Sequence, residues 1–504
     1  MFHSDSITSY LLTLTWVLPL ASAAAMMVFP KDRPGLIRWF TLIANGLNLA
    51  LIVLLSILFI MQQPSQTGGT QTVLAFSANH GWFPLLHIRY HIGVDAISLS
   101  LMFLAGVIVF CGTLASWQIQ ERTKEFFVLL QILAAGVFGS FISFDLFTFF
   151  VFNELTLIPT YLLIAMFGSG RKEYAAMKLN LMLMGGSALI LVGIFGLFFA
   201  SGIHSFDILE LSQIRFDRSF QLWTFPALFL GFGILGNIFP FHIWSPDGHS
   251  SAPTAISMFL AGVHMKLGSY GCLRIAMYLL PEGCRPWMNV FLVLAVGGVI
   301  WGAFVAIKQK DLKYMNAYSS VSHCGLVFLG LAALNSIGLR GAVMQMLAHG
   351  FIAPAVFCII GMIYTRTHTR LIPQMSGLMA SMPFLSVCFV LAGFAALGIP
   401  GMAGFAAELN IFMGAFGSSP LAKVGAGLAV LSIIITAVYI LRGVNAVLHG
   451  PALEGSGTLT DANFAEKVPL VMLLFCILLI GLYPGPISTL LDHAIEPILN
   501  NLNR

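Results

Sequence analysis

Phe239-Pro-Phe-His-Ile-Trp-Ser-Pro-Asp-Gly-His-Ser-Ser-Ala-Pro-Thr-Ala-Ile-Ser-Met-Phe-Leu-Ala-Gly-Val-His-Met-Lys266 joins the end of one apolar run to the middle of the next. The first run breaks near Pro240, and a polar turn is expected at Ser245-Pro-Asp-Gly-His249 before the chain turns apolar again. The second run extends from about Ala252 to Leu280. At ~1.5 Å per residue, Lys266 lies roughly 20 Å into that run. A lysine in hydrocarbon costs about 2.5–3.5 kcal/mol, so a partner, a wet cavity or deprotonation must offset it. Desolvation favours the neutral form of an amine, which is what a proton-exchanging group requires.

The composition fits that reading. Of 504 residues, 58% are hydrophobic and 9% charged, whereas soluble domains are about a quarter charged. The chain is therefore a polytopic, all-α membrane protein. Runs long enough to span a bilayer fall at about 9–29, 38–62, 96–116, 126–144, 145–168, 175–200, 220–244, 252–280, 287–307, 314–333, 341–364, 382–415, 420–441 and 468–490, which makes fourteen expected spans. Lys31, Arg33, Arg38, Arg122, Lys124, Arg171, Lys172, Lys308, Lys310, Lys313, Arg366, Arg370 and Arg442 follow odd-numbered spans. Fewer cations follow the even ones, so the positive-inside rule places both termini on the non-cytoplasmic side. The first span is preceded by Asp5 rather than by a basic region, so no cleavable leader is expected.

Soluble redox and metal chemistry finds no support. The seven cysteines at 111, 272, 284, 324, 358, 388 and 476 form no CxxC pair, which leaves iron–sulfur or zinc binding unsupported. No Gly-rich phosphate loop follows a strand. His80, His87 and His91 lie in the polar loop from Gln63 to His91, and their irregular spacing reads as solvated loop histidines.

Ionisable residues inside spans are costly and point to function. Glu154 lies about nine residues into the fifth span, with Pro159 one turn later to free a carbonyl. Lys178 opens the sixth span as a partner for it. The seventh span has Pro240 and then His242, a residue able to relay protons near neutral pH, with Asp247 and His249 beyond. Ser320, Ser322 and His323 lie in the tenth span, His349 in the eleventh, and Glu408 in the twelfth after Gly398-Ile-Pro400-Gly401. Breaks at Pro240 and Pro400 in corresponding spans predict two internally repeated halves, spans 4–8 and 9–13. The expected organisation is an N-terminal part at 1–125, a first repeat at 126–281, a second at 282–441 and a C-terminal part at 442–504.

Together, Asn153-Glu-Leu-Thr-Leu-Ile-Pro159, His242-x-Trp-x-Pro-Asp-x-His-x-x-Ala-Pro-Thr254, Lys266-x-x-x-Tyr270, Ala317-Tyr-Ser-Ser-Val-Ser-His323 and Gly398-x-Pro-Gly401 with Glu408 resemble the antiporter-like membrane subunits of respiratory complex I, related to Mrp-type Na⁺/H⁺ antiporter subunits. Glu408 in the twelfth span, and a sequence stopping soon after its fourteenth, match the chain M (subunit 4) branch. The resemblance implies two inverted five-helix repeats with broken helices 7 and 12, and proton translocation driven by electron transfer elsewhere. It places NADH, flavin, iron–sulfur clusters and quinone in partner subunits, none in this chain, and chain L- and N-type subunits as neighbours. Glu154, Lys266, His323, His349 and Glu408 become the expected proton-transfer residues. An Mrp-type antiporter subunit, or a spacer that no longer pumps, is the alternative.

Three positions depart from the family pattern. Leu235 stands where a seventh-span lysine is usual, Asn153 where Trp is usual, and Lys313-Tyr314 where Lys-Arg is usual. Leu235 deprives Glu154 of its customary cation. Lys178 is the expected substitute, with His242 or a silent half-channel as the other possibilities.

Overall fold

The computed structural model describes residues 2–62, 72–451 and 459–503. Two helices, α1 (Phe2–Val28) and α2 (Pro34–Gln62), precede a hairpin of β1 (Ala75–Phe83) and β2 (Ile88–Val94). Then come α3 (Ala96–Ala115), α4 (Thr123–Ile142), α5 (Leu146–Phe167), α6 (Lys172–Ala200), the single turn α7 (Ile208–Leu211), α8 (Arg218–Leu235), α9 (Trp244–Ser251), α10 (Thr254–Phe259) and α11 (Met265–Gly271). The chain continues with α12 (Pro281–Lys308), α13 (Leu312–Ala332), α14 (Ser336–Thr367), the short α15 (Leu378–Ser381), α16 (Pro383–Ala396), α17 (Ala403–Phe416), α18 (Pro420–Leu448), α19 (Phe464–Leu482) and α20 (Gly485–Leu502).

Ten of these helices are long and apolar enough to cross a membrane: α1 to α6, α12, α14, α18 and α19. The other four expected spans are helical but interrupted or more polar. Span 220–244 is α8 with a break before α9, and span 382–415 is α16 and α17 with a break between them. Span 314–333 is α13, dense in serines. Span 252–280 runs through α10, a π-helical turn at Leu260–His264, α11 and a second π turn at Cys272–Met277.

The two breaks share a construction. After α8 the chain leaves the helix at Gly236, and Asn237 takes a left-handed φ of 72° before Pro240. After α16, Gly398 and Gly401 take φ of 65° and 91° around Pro400. Left-handed backbone costs glycine nothing and asparagine little, and proline cannot continue a helix. The expected polar turn at Ser245–His249 is corrected here: those residues are helical, inside α9, and the non-helical link lies earlier, from Gly236 to Pro240, followed by a 3-10 turn at Phe241–Ile243. By contrast Pro159 does not end α5, which runs through it.

Helix α14 occupies the centre, its membrane-crossing window wholly buried. Around it the helices approach closely through glycine. A Cβ on Gly268 would lie 2.2 Å from the backbone nitrogen of Gly236 and one on Gly302 2.6 Å from that of Ser322, so α11 meets the end of α8, and α12 meets α13, backbone to backbone.

The loop between α2 and α3 brings a second correction. Residues 63–71 of it lie outside the described residues. The remainder is the β1–β2 hairpin, a small addition to an otherwise helical fold. Its exposed tip includes Trp82, Phe83, Leu85 and Leu86. His80 and His87 are exposed as expected, but His91 is buried, with Nδ1 2.5 Å from Asp207 Oδ2. The cause is docking of β2 against the start of α5, where Phe144 N donates to His91 O at 2.8 Å, so His91 faces the Asp207 cap of α7 rather than water. Burial pushes the Asp207 carboxyl up, but His91 and the backbone N–H groups of Glu210 and Leu209 together outweigh it, leaving Asp207 below its ordinary value.

One fully buried ion pair ties the hairpin end to the span of Lys266. Asp95 caps α3, accepting from Ser98 N at 2.9 Å, and its other oxygen accepts from Arg274. Each side chain is 1% exposed, and the guanidinium lies over the rings of Phe144 and Tyr270 at 5.5 and 5.8 Å.

Candidate functional site

The second half gathers its expected residues into one line. On α13, Ser320 and His323 are three apart; on α14, Gln345 and His349 are four apart. Both spacings put the two side chains on one helix face. Where those faces meet, His349 Nε2 lies 3.1 Å from Ser320 Oγ and Gln345 Nε2 lies 3.2 Å from His323 Nδ1. The two imidazole rings are 5.4 Å apart, centre to centre.

Lys266 closes one end. Its Nζ lies 2.7 Å from His349 Nδ1 and donates to the carbonyl of Ala261. The π turn at Leu260–His264, which contains Ala261, ends two residues before it, and such turns disturb the regular pairing of helix carbonyls. The lysine is 2% exposed, and among the described residues no carboxylate lies within ion-pair distance of it. A carbonyl and a neutral imidazole suffice to hold an amine that changes protonation state, whereas a fixed carboxylate would hold it as the ammonium.

Glu408 closes the other end. Its Oε1 lies 3.6 Å from His323 Nδ1, within ion-pair range but beyond a direct hydrogen bond. Gly398, in the α16–α17 break, makes room for the carboxylate: a Cβ there would lie 2.7 Å from Glu408 Oε2. Lys266, His349, Ser320, His323 and Glu408 can each give and take a proton, so the arrangement suits stepwise transfer.

The first half is arranged differently. Glu154 Oε1 accepts from Ser187 Oγ on α6 at 2.5 Å and lies 3.4 Å from Asn153 Nδ2. Lys178 does not replace the missing cation: its Nζ donates to Asp247 Oδ2 at 2.6 Å. The geometry of α6 explains this. Lys178 precedes Ser187 by nine residues, which is about 13.5 Å of rise and half a turn of rotation. Leu235 is buried at 4% exposure. His242 stacks on Phe239, and His249, fully buried, stacks on Phe357 with ring centres 5.0 Å apart. Neither His242 nor His249 joins Glu154 by a hydrogen bond among the described residues.

Sequence reasoning gave no role to Tyr314, Lys313 or His264. Asp247 also accepts from Tyr314 OH at 2.9 Å, at a cavity of about 190 Å³ that Arg171, Tyr174 and Arg370 also line. Lys313, grouped with a basic loop, is 5% exposed and donates to Ala252 O at 2.5 Å. The signal was Asp311, which caps α13 and so puts Lys313 inside the helix. His264 is fully buried, 3.5 Å from Thr156 Oγ1.

Because Glu154 and Lys178 have separate partners, their loss should be independent. Glu154→Gln and Lys178→Ala are each expected to lower transfer. The double variant should show the product of the two factors to within roughly a factor of two, as for sites without shared partners. Proton uptake by reconstituted vesicles measures this; a double variant no worse than the poorer single would mean that the two act as one pair.

The chain is similar to known proteins over nearly its whole length. The family model described as NADH:quinone oxidoreductase/Mrp antiporter, TM matches residues 143–436. NAD(P)H-quinone oxidoreductase chain 4 1 of Picosynechococcus sp. is 36% identical over 97% of this chain and 91% of its own length. Among solved structures, a chain of respiratory complex I from Thermus thermophilus superposes with a TM-score of 0.88 at 27% identity, covering 97% of this chain and 99% of that one. A chain of the Mrp complex from Dietzia sp. shares the fold, with a TM-score of 0.82 at 20% identity, covering 99% and 98%. The matched region contains every residue of the line from Lys266 to Glu408, and the chain belongs to the NADH:quinone oxidoreductase/Mrp antiporter membrane-subunit family.

Proposed function

We propose that this chain is a chain M-type, proton-translocating membrane-arm subunit of an NAD(P)H–quinone oxidoreductase. The observation that carries the proposal is the buried series Lys266, His349 with Ser320, His323 and Glu408, in which the two imidazole rings are 5.4 Å apart and Glu408 lies 3.6 Å from His323, set between α11, α13, α14 and α17. Protons would be taken up toward Lys266 and released past Glu408. Among the described residues no group of three or more His, Cys, Asp or Glu is placed to hold a metal. Flavin, iron–sulfur clusters, nicotinamide and quinone belong, in this reading, to partner subunits. The names of the relatives support it, as does their cover of nearly the whole chain.

The same reading proposes fourteen crossings, repeats at 126–281 and 282–441 flanked by 1–125 and 442–504, chain L- and N-type neighbours, and both termini on the non-cytoplasmic side. Isolation with a quinone-reactive peripheral arm tests it. Isolation with small membrane subunits alone would favour an Mrp-type antiporter instead. A second reading, limited to the first half, is a wall that does not conduct: Leu235 is apolar, Glu154 is held by a serine and Lys178 is held by Asp247.

Glu408 gives a direct check. Glu408→Gln keeps shape and hydrogen bonding while removing titration. Transfer through this chain should fall roughly a hundredfold, the usual order for losing a positioned acid–base group. Protons moved per electron, measured in proteoliposomes, is the readout, and an unchanged yield would make Glu408 structural.

A further inference from the structure

Outside the transfer line, three cations gather at one corner of the molecule. Lys308 ends α12, Lys310 follows it, and Arg442 lies near the end of α18; all three are exposed. They border a cavity of about 510 Å³ whose other walls include Ile307, Ile372 and Met375. No carboxylate lines it, and among the described residues none of the three cations is paired with an acid. Arg442 is held in place, since its Nη2 donates to Ile307 O at 2.5 Å and also reaches Gln309 O at 3.3 Å. Its remaining N–H groups are free to bind elsewhere.

An apolar face descends from this corner. On α12, Phe304 and Trp301 lie four and seven residues before Lys308 and are 55% and 51% exposed; on α18, Val438 and Ile434 lie four and eight residues before Arg442 and are 50% and 65% exposed. These spacings put each pair beneath its cation on one helix face. Helices α12 and α18 are both long and apolar enough to cross a membrane, so the cations sit at the boundary and the stripe faces hydrocarbon.

We propose that this corner binds one anionic phospholipid, its phosphate held by Lys308, Lys310 and Arg442 and its acyl chains lying along the α12–α18 face. Charge complementarity favours that occupant: three cations over a long apolar stripe match an amphiphile with an anionic head, and basic pockets between helices near the cytoplasmic surface are suited to such headgroups. The inference does not depend on which half of the chain conducts.

The test uses the intact membrane complex, extracted from bilayers of phosphatidylglycerol and phosphatidylcholine in equal amounts. The variant is Lys308→Gln/Lys310→Gln, which spares Arg442 because that residue closes the carbonyls of α12. Native mass spectrometry should find one fewer retained phosphatidylglycerol in the variant. In titrations, its apparent affinity for phosphatidylglycerol should be roughly tenfold weaker or more. Phosphatidylcholine should not substitute, and millimolar inorganic phosphate should not compete. Equal lipid retention in wild type and variant would overturn the proposal. So would displacement of the lipid by phosphate alone, which would indicate a free-anion site. A photo-reactive phenylalanine analogue at position 304 that cross-links to a neighbouring polypeptide rather than to lipid would assign the face to a protein and also overturn it.

Discussion

Replacing Lys266 with Ala is expected to cut proton transfer through this chain by roughly a hundredfold or more, while leaving the complex assembled. The side chain is bound by one carbonyl and one imidazole, so its removal strands no buried charge. His349 keeps Ser320. Lys266→Arg should also be severely impaired, because a guanidinium stays protonated throughout the cycle. The measurement is protons moved per electron by reconstituted complex in which the other pumping subunits are blocked. A wild-type yield from an assembled Lys266→Ala complex would remove this lysine from the mechanism.

The largest expected effect on stability lies elsewhere, at Asp95 and Arg274. Asp95→Asn preserves volume and the cap of α3 but leaves the Arg274 guanidinium without its counter-charge in a site where each side chain is 1% exposed. Breaking a buried pair on one side costs about 3–5 kcal/mol. The variant complex should therefore inactivate at markedly lower temperature and accumulate poorly. Asp95→Leu combined with Arg274→Met should be far less damaging than either single change, because neither charge is then left alone. Thermal inactivation of Asp95→Asn, the two single changes and the double in one detergent decides the matter. Equal damage in the double and single variants would show that the hydrogen bonds and ring contacts matter more than the charge balance.

Much of the architecture was legible because hydrocarbon imposes a simple rule. Long apolar runs had to be helices, and an ionisable residue inside one had to find polar company. Lys266, His323, His349 and Glu408 stood out on that ground, and the fold places them in contact or near it. Pro240 and Pro400 announced the two breaks. What stayed hidden was which faces meet. Lys178 is near enough in sequence order to be assigned to Glu154, yet nine residues of helix separate it from the turn that Glu154 touches. His91 looked solvated because nothing in its loop announced a hairpin docked on α5. Neither Arg274 nor Asp95 drew notice in the sequence; only packing makes them a pair. The π turns flanking α11 left no trace in the apolar pattern, because one additional residue per turn does not alter hydropathy.

The glycine contacts between α8 and its neighbours separate two kinds of selective pressure. A Cβ on Gly231 would lie 2.8 Å from Gly186 O, and one on Gly268 would meet Gly236, so the first-half helices form part of the wall that holds the Lys266 span. Drift at position 235 can erase a proton carrier without disturbing that wall. Loss of Gly231, Gly236 or Gly268 would instead push apart the helices that align the second half. A half that stopped moving protons would thus still be retained for its shape, its titrating side chains free to vary while its small residues were held fixed.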